Sequence, residues 1–120
     1  MSTAEPLQSS RVLIVDDEED IRDVLRLMCE TNGFEVVGEA ANGVEAVPLA
    51  LKHQPDFVIL DFMLPRLDGA GAAEILRAIA PESKIVAFSA ILDSQPPWAD
   101  AYLNKDRVGE LMPLLRTLIR

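Results

Sequence analysis

Two runs of four consecutive apolar residues, 12–15 (VLIV) and 57–60 (FVIL), each end abruptly at an aspartate. Continuous aliphatic and aromatic runs of this length are typical of strands that are buried on both faces of a parallel sheet. Parallel strands need a long crossover connection, which is usually an α-helix. The two runs therefore predict an α/β fold in which helices cover both faces of the sheet.

The rest of the sequence supplies the alternating strands and helices that such a fold requires. Residues 19–32 present one apolar helical face, and Gly33 follows them as a helix C-cap. Further strands are predicted at 34–40, 84–89 and 101–103, and further helices from Asn42-Gly43 through Ala50, over about 71–80, and from Asp106 through Leu111, Leu115 and Ile119. Pro48 predicts a kink or a late start in the second helix, and Pro113 predicts a kink in the last one. The predicted architecture is a three-layer α/β/α sandwich around a five-stranded parallel sheet.

Length and composition limit the organisation and the partners. A chain of 120 residues has room for one domain, which we expect at 11–120, behind a flexible leader at 1–10. The net charge of −9 argues against direct nucleic-acid binding, which relies on clustered Lys and Arg. No apolar run reaches the roughly 18 residues of a membrane span, and no signal peptide is recognisable. The single cysteine, Cys29, has no disulfide partner and is expected to pack as a small apolar residue. We therefore expect a cytoplasmic protein without membrane contact.

Polar side chains stand at the predicted carboxyl ends of four of the strands. They are Asp16 and Asp17 after the first strand, Asp61 after the third, Ser89 at the end of the fourth, and Asn104 and Lys105 after the fifth. The carboxyl ends of parallel strands meet at one edge of a sheet, where ligands bind in open α/β folds. We therefore expect these side chains to converge on one crevice.

Three carboxylates in one crevice repel one another. At about 4 Å and an effective dielectric constant of about 20, each pair costs about 4 kcal/mol. A divalent cation offsets this repulsion, and Mg²⁺ suits a site with few carboxylates, several waters and phosphate oxygens. A carboxylate at such a site can attack a phosphoryl donor and form an acyl phosphate, while Lys105 and Ser89 offer a positive charge and a hydroxyl donor.

The ordered set of motifs resembles the response-regulator receiver family of two-component signalling, which includes the chemotaxis receivers. The matching segments are VLIVDD (12–17), DFMLPRLDG (61–69, with Pro65, Asp68 and Gly69), KIVAFSA (84–90) and AYLNK (101–105). The likeness spans about residues 11–120 and implies a flavodoxin-like fold. Asp68 itself is predicted to be a turn residue and not a ligand.

The resemblance also implies the roles of the clustered residues. Asp61 would be the phosphoacceptor, and Mg²⁺ would be held by Asp16, Asp17, Asp61 and the backbone carbonyl of Met63. Ser89 and Lys105 would contact the phosphoryl group, and Ser89 and Tyr102 would move together as a switch. The donor would be a sensor histidine kinase or a phosphotransfer protein, and the receiver of the signal would be a downstream effector or a fused output domain. The domain would catalyse only its own phosphorylation and dephosphorylation, and a homodimer is left open.

The sequence departs from the family pattern at two places. Only residues 90–101 lie between Ser89 and Tyr102, and they include Pro96-Pro97, so the fourth helix is predicted to be missing or reduced to about one turn. Trp98 in this segment is predicted to cover sheet surface that the short helix leaves open, with an exposed partner contact as the alternative. Asp106 stands where the family commonly has proline, so a cis peptide after Lys105 is not expected, and Lys105 could sit differently.

Other functions share part of this chemistry. A receiver fold that serves as a phosphorylation-independent adaptor or dimerisation module would fit the truncated fourth helix. A Mg²⁺-dependent phosphatase with an aspartyl nucleophile would need an Asp-x-Asp motif and a cap domain, which this sequence lacks. A flavodoxin-type flavin site would need Ser, Thr and backbone donors where residues 16–19 are all acidic.

Overall fold

Five parallel strands form one sheet in the order β2-β1-β3-β4-β5, in a computed structural model that describes residues 10–64, 67–91 and 93–119. The strands are β1 (Arg11–Val15), β2 (Glu35–Ala40), β3 (Phe57–Leu60), β4 (Lys84–Ser89) and β5 (Ala101–Asn104). The helices are α1 (Glu19–Thr31), α2 (Gly43–His53), α3 (Gly69–Ile79) and α4 (Leu111–Leu118), and a 3₁₀ helix (Lys105–Glu110) directly precedes α4. The flavodoxin-like three-layer architecture is thus confirmed. The predicted leader, apart from Ser10, and Pro65 lie outside the described residues.

Both faces of the sheet are buried, as the continuous apolar runs predict. Val12 and Ile14 of β1 point to one face, where α1 and α4 pack, while Leu13 and Val15 point to the other face, where α2 and α3 pack. Cys29 of α1 is fully buried in the first of these cores, and burial raises the pKa of its thiol to about 12. The prediction of a packed, apolar cysteine is confirmed.

Side-chain caps determine where α2 and α3 begin. The side-chain Oδ1 of Asn42 accepts a hydrogen bond from the Glu45 N–H, so α2 begins at Gly43 and continues through Pro48. Of the two alternatives predicted for Pro48, a kink or a late helix start, the late start is therefore wrong. The Asp68 carboxylate accepts a hydrogen bond from the Gly71 N–H, so α3 begins at Gly69, two residues before the predicted start. The predicted boundaries of the first four strands lie within one residue of those in the structure. The same holds for the predicted ends of α1 and α3.

The C-terminal region differs from the prediction. β5 extends to Asn104, whose side chain accepts from the Asp106 N–H and caps the 3₁₀ helix, so Asp106 is not the cap. The interruption of the helical backbone lies at Arg107 and not at Pro113. Pro113 falls in the first turn of α4, where a backbone N–H has no partner within the helix, so proline costs little there. Ile119 lies beyond α4 and is 46% exposed, so it does not extend the apolar face.

The segment between β4 and β5, residues 90–100, forms no helix in its described part, 90–91 and 93–100. We call it the β4–β5 segment. Its backbone instead runs in bends and turns that include the Ala99 N–H donating to the Pro96 carbonyl. The prediction that the fourth helix is missing or very short is confirmed for these residues. Among the helices of the described residues, none is long and apolar enough to span a bilayer.

Candidate functional site

Sheet register brings the first and third strand ends together. β1 and β3 are adjacent, with Val15 opposite Leu60, so that Asp16 and Asp61 follow neighbouring positions. The Asp61 N–H donates to the Val15 carbonyl at 3.0 Å, which extends the ladder to the acid itself. Carboxylate oxygens of Asp16, Asp17 and Asp61 all lie within 4.8 Å of one another. The predicted convergence of these three acids is thus observed.

Two of the three acids are almost completely buried. Asp16 is 1% exposed and Asp61 is 4% exposed, whereas Asp17 lies at the surface. Burial raises the pKa of Asp61, and the negative charge of Asp16 raises it further. The charge and hydrogen bond of Lys105 and the hydrogen bond from the Met63 N–H act in the opposite direction without reversing the shift. The ionised form of Asp61 is therefore held in an unfavourable environment.

Lys105 is the cation that compensates these acids. Its Nζ lies 2.8 Å from Asp16 Oδ2, 3.3 Å from Asp61 Oδ2 and 3.6 Å from Glu18 Oε1. Burial by itself lowers the pKa of Lys105, but the contacts with Asp16 and Asp61 outweigh burial and raise it. The peptide bond to Asp106 is trans, and Lys105 still reaches both buried acids, so the aspartate after it does not displace the lysine.

The two carboxylate oxygens of Asp16 differ in their hydrogen bonding. Its Oδ1 accepts from the Glu18 N–H at 2.9 Å, whereas Oδ2 is buried and receives no hydrogen bond from any described residue. The approach of Lys105 Nζ to this oxygen at 2.8 Å is an ionic contact. A buried carboxylate oxygen in this state, with two further carboxylates nearby, is a donor set that fits a hard divalent cation such as Mg²⁺.

Ser89 and Tyr102 lie on the neighbouring strands β4 and β5. Ser89 is 1% exposed, lies opposite Asn104 in the β4–β5 pairing, and its Oγ accepts from the Ile91 N–H at 3.5 Å. Tyr102 is half-buried, and its hydroxyl donates to the Asp93 carbonyl at 3.1 Å. The described hydrogen bonds thus connect each of these side chains to the β4–β5 segment.

The loop after Asp61 is packed tightly against the start of α3. The Gly69 N–H donates to the Phe62 carbonyl at 3.0 Å. A Cβ atom at Gly69 would lie 2.9 Å from both the Asp61 carbonyl oxygen and Phe62 Cα, so only glycine fits this approach. Met63, the predicted carbonyl ligand, is exposed, and its N–H donates to Asp61 Oδ1 at 3.3 Å.

Three features of the site are absent from the sequence-based predictions. Glu18 approaches Lys105, Arg22 Nη1 donates to the Asp16 carbonyl at 2.7 Å, and Phe62 stacks on Trp98. The acidic run at 16–19 was a signal for the first, since it placed a further carboxylate beside the pair. Trp98 packs against the core on the α2 and α3 face, which confirms that it covers sheet surface.

A groove of about 670 Å³ opens beside β5 on the side of the β4–β5 segment. Its lining combines apolar surface from Leu103 and Leu114 with the acidic side chains of Asp93 and Asp106. Arg107 also lines it, and its guanidinium is paired with the Glu110 carboxylate at 2.9 and 3.0 Å. None of the three clustered acids lines the groove, so the groove is separate from the acidic site. Both are in contact with the β4–β5 segment, the groove through Asp93 and the acidic site through the stack of Phe62 on Trp98.

Comparison with known proteins finds one family model, the response regulator receiver domain, which matches residues 12–107. The chain is 41% identical over 115 residues to the transcriptional regulatory protein PdtaR of Mycobacterium tuberculosis, covering 91% of this chain and 56% of that protein. It is 40% identical over 81 residues to the chemotaxis protein CheY of Bacillus subtilis, covering 68% of each. This chain therefore spans little more than half the length of the mycobacterial relative.

A solved structure supports the same relationship. The CheX–CheY–BeF₃–Mg²⁺ complex from Borrelia burgdorferi contains a chain that is 25% identical and superposes with a TM-score of 0.81, covering 92% of this chain and 90% of that one. The fold, the order of the motifs and the family match agree along most of the chain. The chain is a receiver domain of the response-regulator family of two-component systems.

Proposed function

We propose that this receiver domain accepts a phosphoryl group on Asp61, as an aspartyl phosphate, from a phosphohistidine of a sensor histidine kinase or phosphotransfer protein. The observation that carries the proposal is the convergence of Asp16, Asp17 and Asp61 around Lys105, with both buried acids in contact with its Nζ. In the proposal, the three carboxylates and the Met63 carbonyl would hold Mg²⁺, which when bound would supply positive charge to offset that of the phosphoryl oxygens.

The chain's own residues have distinct parts in the transfer. A carboxylate oxygen of Asp61 forms the new bond to phosphorus, the bond from phosphorus to the donor imidazole nitrogen breaks, and the imidazole leaves with that electron pair. Lys105 exchanges its contact with Asp61 Oδ2 for one with a phosphoryl oxygen. The Ser89 hydroxyl donates to another of these oxygens, and its backbone position at the end of β4 keeps it near the same edge.

The proposed switch consists of the loss of one hydrogen bond at Ser89 and one at Tyr102. When the Ser89 hydroxyl turns to the phosphoryl group, its contact with the Ile91 N–H is lost. Tyr102 then exchanges its hydrogen bond with the Asp93 carbonyl for an inward position, which changes the surface of the β4–β5 segment. An effector protein or a fused output domain would respond to this change, and the cytoplasm is the proposed location.

The test is incubation with acetyl phosphate and Mg²⁺, followed by intact-mass measurement. We expect the mass to rise by one phosphoryl group in the wild-type chain and in Asp68→Asn, and not in Asp61→Asn. Asp68 is the matched control, since it lies in the same loop but caps α3 and is not part of the acidic cluster. Equal phosphorylation of wild type and Asp61→Asn would overturn the proposal.

The Borrelia complex offers a probe for the same site, because it contains a CheY chain with beryllium fluoride and magnesium. Beryllium fluoride with Mg²⁺ is expected to shift the NMR signals of Ser89, Tyr102 and Lys105 here. Asp61→Asn is expected to abolish these shifts. Shifts that persist in this variant would argue against Asp61 as the acceptor.

A phosphorylation-independent adaptor or dimerisation module is a second candidate. It is favoured by the described part of the β4–β5 segment, which forms no helix, and by the groove beside it. Sedimentation analysis with and without beryllium fluoride separates the two functions. Self-association that is identical in both conditions favours the adaptor, whereas a change that depends on Asp61 favours the switch.

A further inference from the structure

The residue directly after Asp61 is in contact with the β4–β5 segment. The rings of Phe62 and Trp98 are stacked, with centroids 6.1 Å apart and planes inclined by 6°. Offset stacking at this separation is a favourable arrangement for an aromatic pair. The stack of Phe62 on Trp98 thus connects the acidic site to the β4–β5 segment in addition to the sheet.

Trp98 is itself fixed by contacts with α3 and the core. Its carbonyl accepts a hydrogen bond from Arg77 Nη2 at 3.0 Å, and the same nitrogen pairs with Asp100 Oδ2 at 2.9 Å. Its side chain packs against the core between the sheet and helices α2 and α3. Trp98 therefore offers Phe62 a support that is anchored independently of the loop.

Phe62 in turn controls the orientation of its two neighbours. Each peptide group is planar, so a change in the backbone angles of Phe62 reorients Asp61 on one side and Met63 on the other. The Phe62 carbonyl is held by the Gly69 N–H, while its ring is held by Trp98. Loss of the ring contact would remove the side-chain support of Phe62, and the described hydrogen bonds from the Gly69 N–H and the Met63 N–H would remain.

We infer that Trp98 is a positioning residue for Mg²⁺ binding: through Phe62 it holds the Asp61 carboxylate and the Met63 carbonyl in the orientation that the ion requires. The inference rests on the proposed function, because it takes the ion to bind at Asp61. Coupling is reciprocal, so bound Mg²⁺ is expected to stabilise the stack of Phe62 on Trp98 in return and thereby to change the surroundings of Trp98. Trp98 is the only tryptophan of the chain, and its emission therefore reports this change directly.

The test measures Mg²⁺ affinity by calorimetry and tryptophan emission in the same titration series, with Mg²⁺ alone as the ligand. Trp98→Leu, which removes the ring stack but keeps an apolar side chain, is expected to weaken Mg²⁺ binding by about two- to tenfold. Trp98→Phe is expected to restore most of the affinity. In the wild type, Trp98 emission is expected to change with the same midpoint as the calorimetric titration, and Phe62→Leu is expected to reduce that change.

The matched control is Phe34→Leu. Phe34 pairs with Phe57 at a centroid distance of 6.2 Å in the core on the opposite face of the sheet, so this variant also loses one ring of an aromatic pair. It is expected to lower stability without changing Mg²⁺ affinity. The inference is overturned if Trp98 emission does not respond to bound Mg²⁺, or if Trp98→Leu binds the ion as tightly as the wild type. A wild-type chain that takes up no Mg²⁺ would overturn the proposed function as well.

Discussion

Replacement of Lys105 by methionine should destabilise the domain strongly in the absence of divalent ions. The side chain is 15% exposed, and its ammonium lies 2.8 Å from Asp16 Oδ2 and 3.3 Å from Asp61 Oδ2. At an effective dielectric constant of about 20, these distances correspond to attractions of about 6 and about 5 kcal/mol. Desolvation of the three groups offsets much of this sum.

The loss on removing one partner of such a cluster is about 3–5 kcal/mol, because two buried carboxylates then remain without a cation. This is a large part of the roughly 5–15 kcal/mol that stabilises a domain. The assay is urea unfolding in EDTA, with Lys84→Met as the control, since Lys84 lies at the opposite end of β4. Addition of Mg²⁺ should restore part of the lost stability and should stabilise the variant more than the wild type.

A Lys105→Met chain that is as stable as the wild type in EDTA would refute this reasoning. So would a loss of stability that Mg²⁺ does not reduce, because the loss would then come from packing of the lysine stem and not from uncompensated charge. The Lys84→Met control separates the general effect of removing a lysine from the effect of removing this one.

Three further predictions follow from the same structure. Burial and Asp16 raise the pKa of Asp61 above its unfolded value, so the ionised carboxylate lowers stability at neutral pH. Asp61→Asn should therefore unfold at higher urea than the wild type at pH 7 in EDTA. This advantage should shrink as the pH falls through the raised pKa of folded Asp61, and it should vanish below the unfolded value of about 3.9, where the carboxyl is protonated in both states. Gly69→Ala places a Cβ atom 2.9 Å from two backbone atoms and should cost about 1–3 kcal/mol in urea unfolding as well as weaken Mg²⁺ binding in calorimetry. Cys29, fully buried and with its pKa raised to about 12, should resist iodoacetamide at pH 8 and be alkylated only when urea unfolds the chain, as mass spectrometry can follow.

Strand positions and the identity of the clustered acids were predictable because they depend on local patterns. The run at 57–60 is apolar at every position, as expected for a strand that the sheet buries on both faces. The change from apolar residues to Asp61 therefore predicted where this strand ends. Parallel pairing then places Asp16 and Asp61 at the same edge of the sheet, and the adjacency of β1 and β3 in the structure brings them side by side. The absence of a helix in the described part of the β4–β5 segment followed from the length of this segment and from Pro96-Pro97 in the same way.

The features that sequence reasoning missed depend on contacts between distant residues or on competing caps. Asn104 and Asp106 both have side chains that can cap a helix. Asn104 is the N-cap in the structure because β5 extends to it and the 3₁₀ helix begins directly after it. The stack of Phe62 on Trp98 joins residues 36 positions apart in the chain, and no periodicity or spacing indicates such a pair. The role of Pro113 depended on where the preceding 3₁₀ helix ended, which the sequence pattern did not reveal.

The claim that Asp61 is the phosphoacceptor is tested most directly by trapping the product. After incubation with acetyl phosphate and Mg²⁺, borohydride reduces an aspartyl phosphate to homoserine, and peptide fragmentation by mass spectrometry locates the changed residue. We expect homoserine at position 61 and unchanged aspartate at position 56, which lies in the same tryptic peptide. Homoserine at Asp16 or Asp17 with Asp61 intact, or a phosphoryl group found on Ser89, would contradict the account.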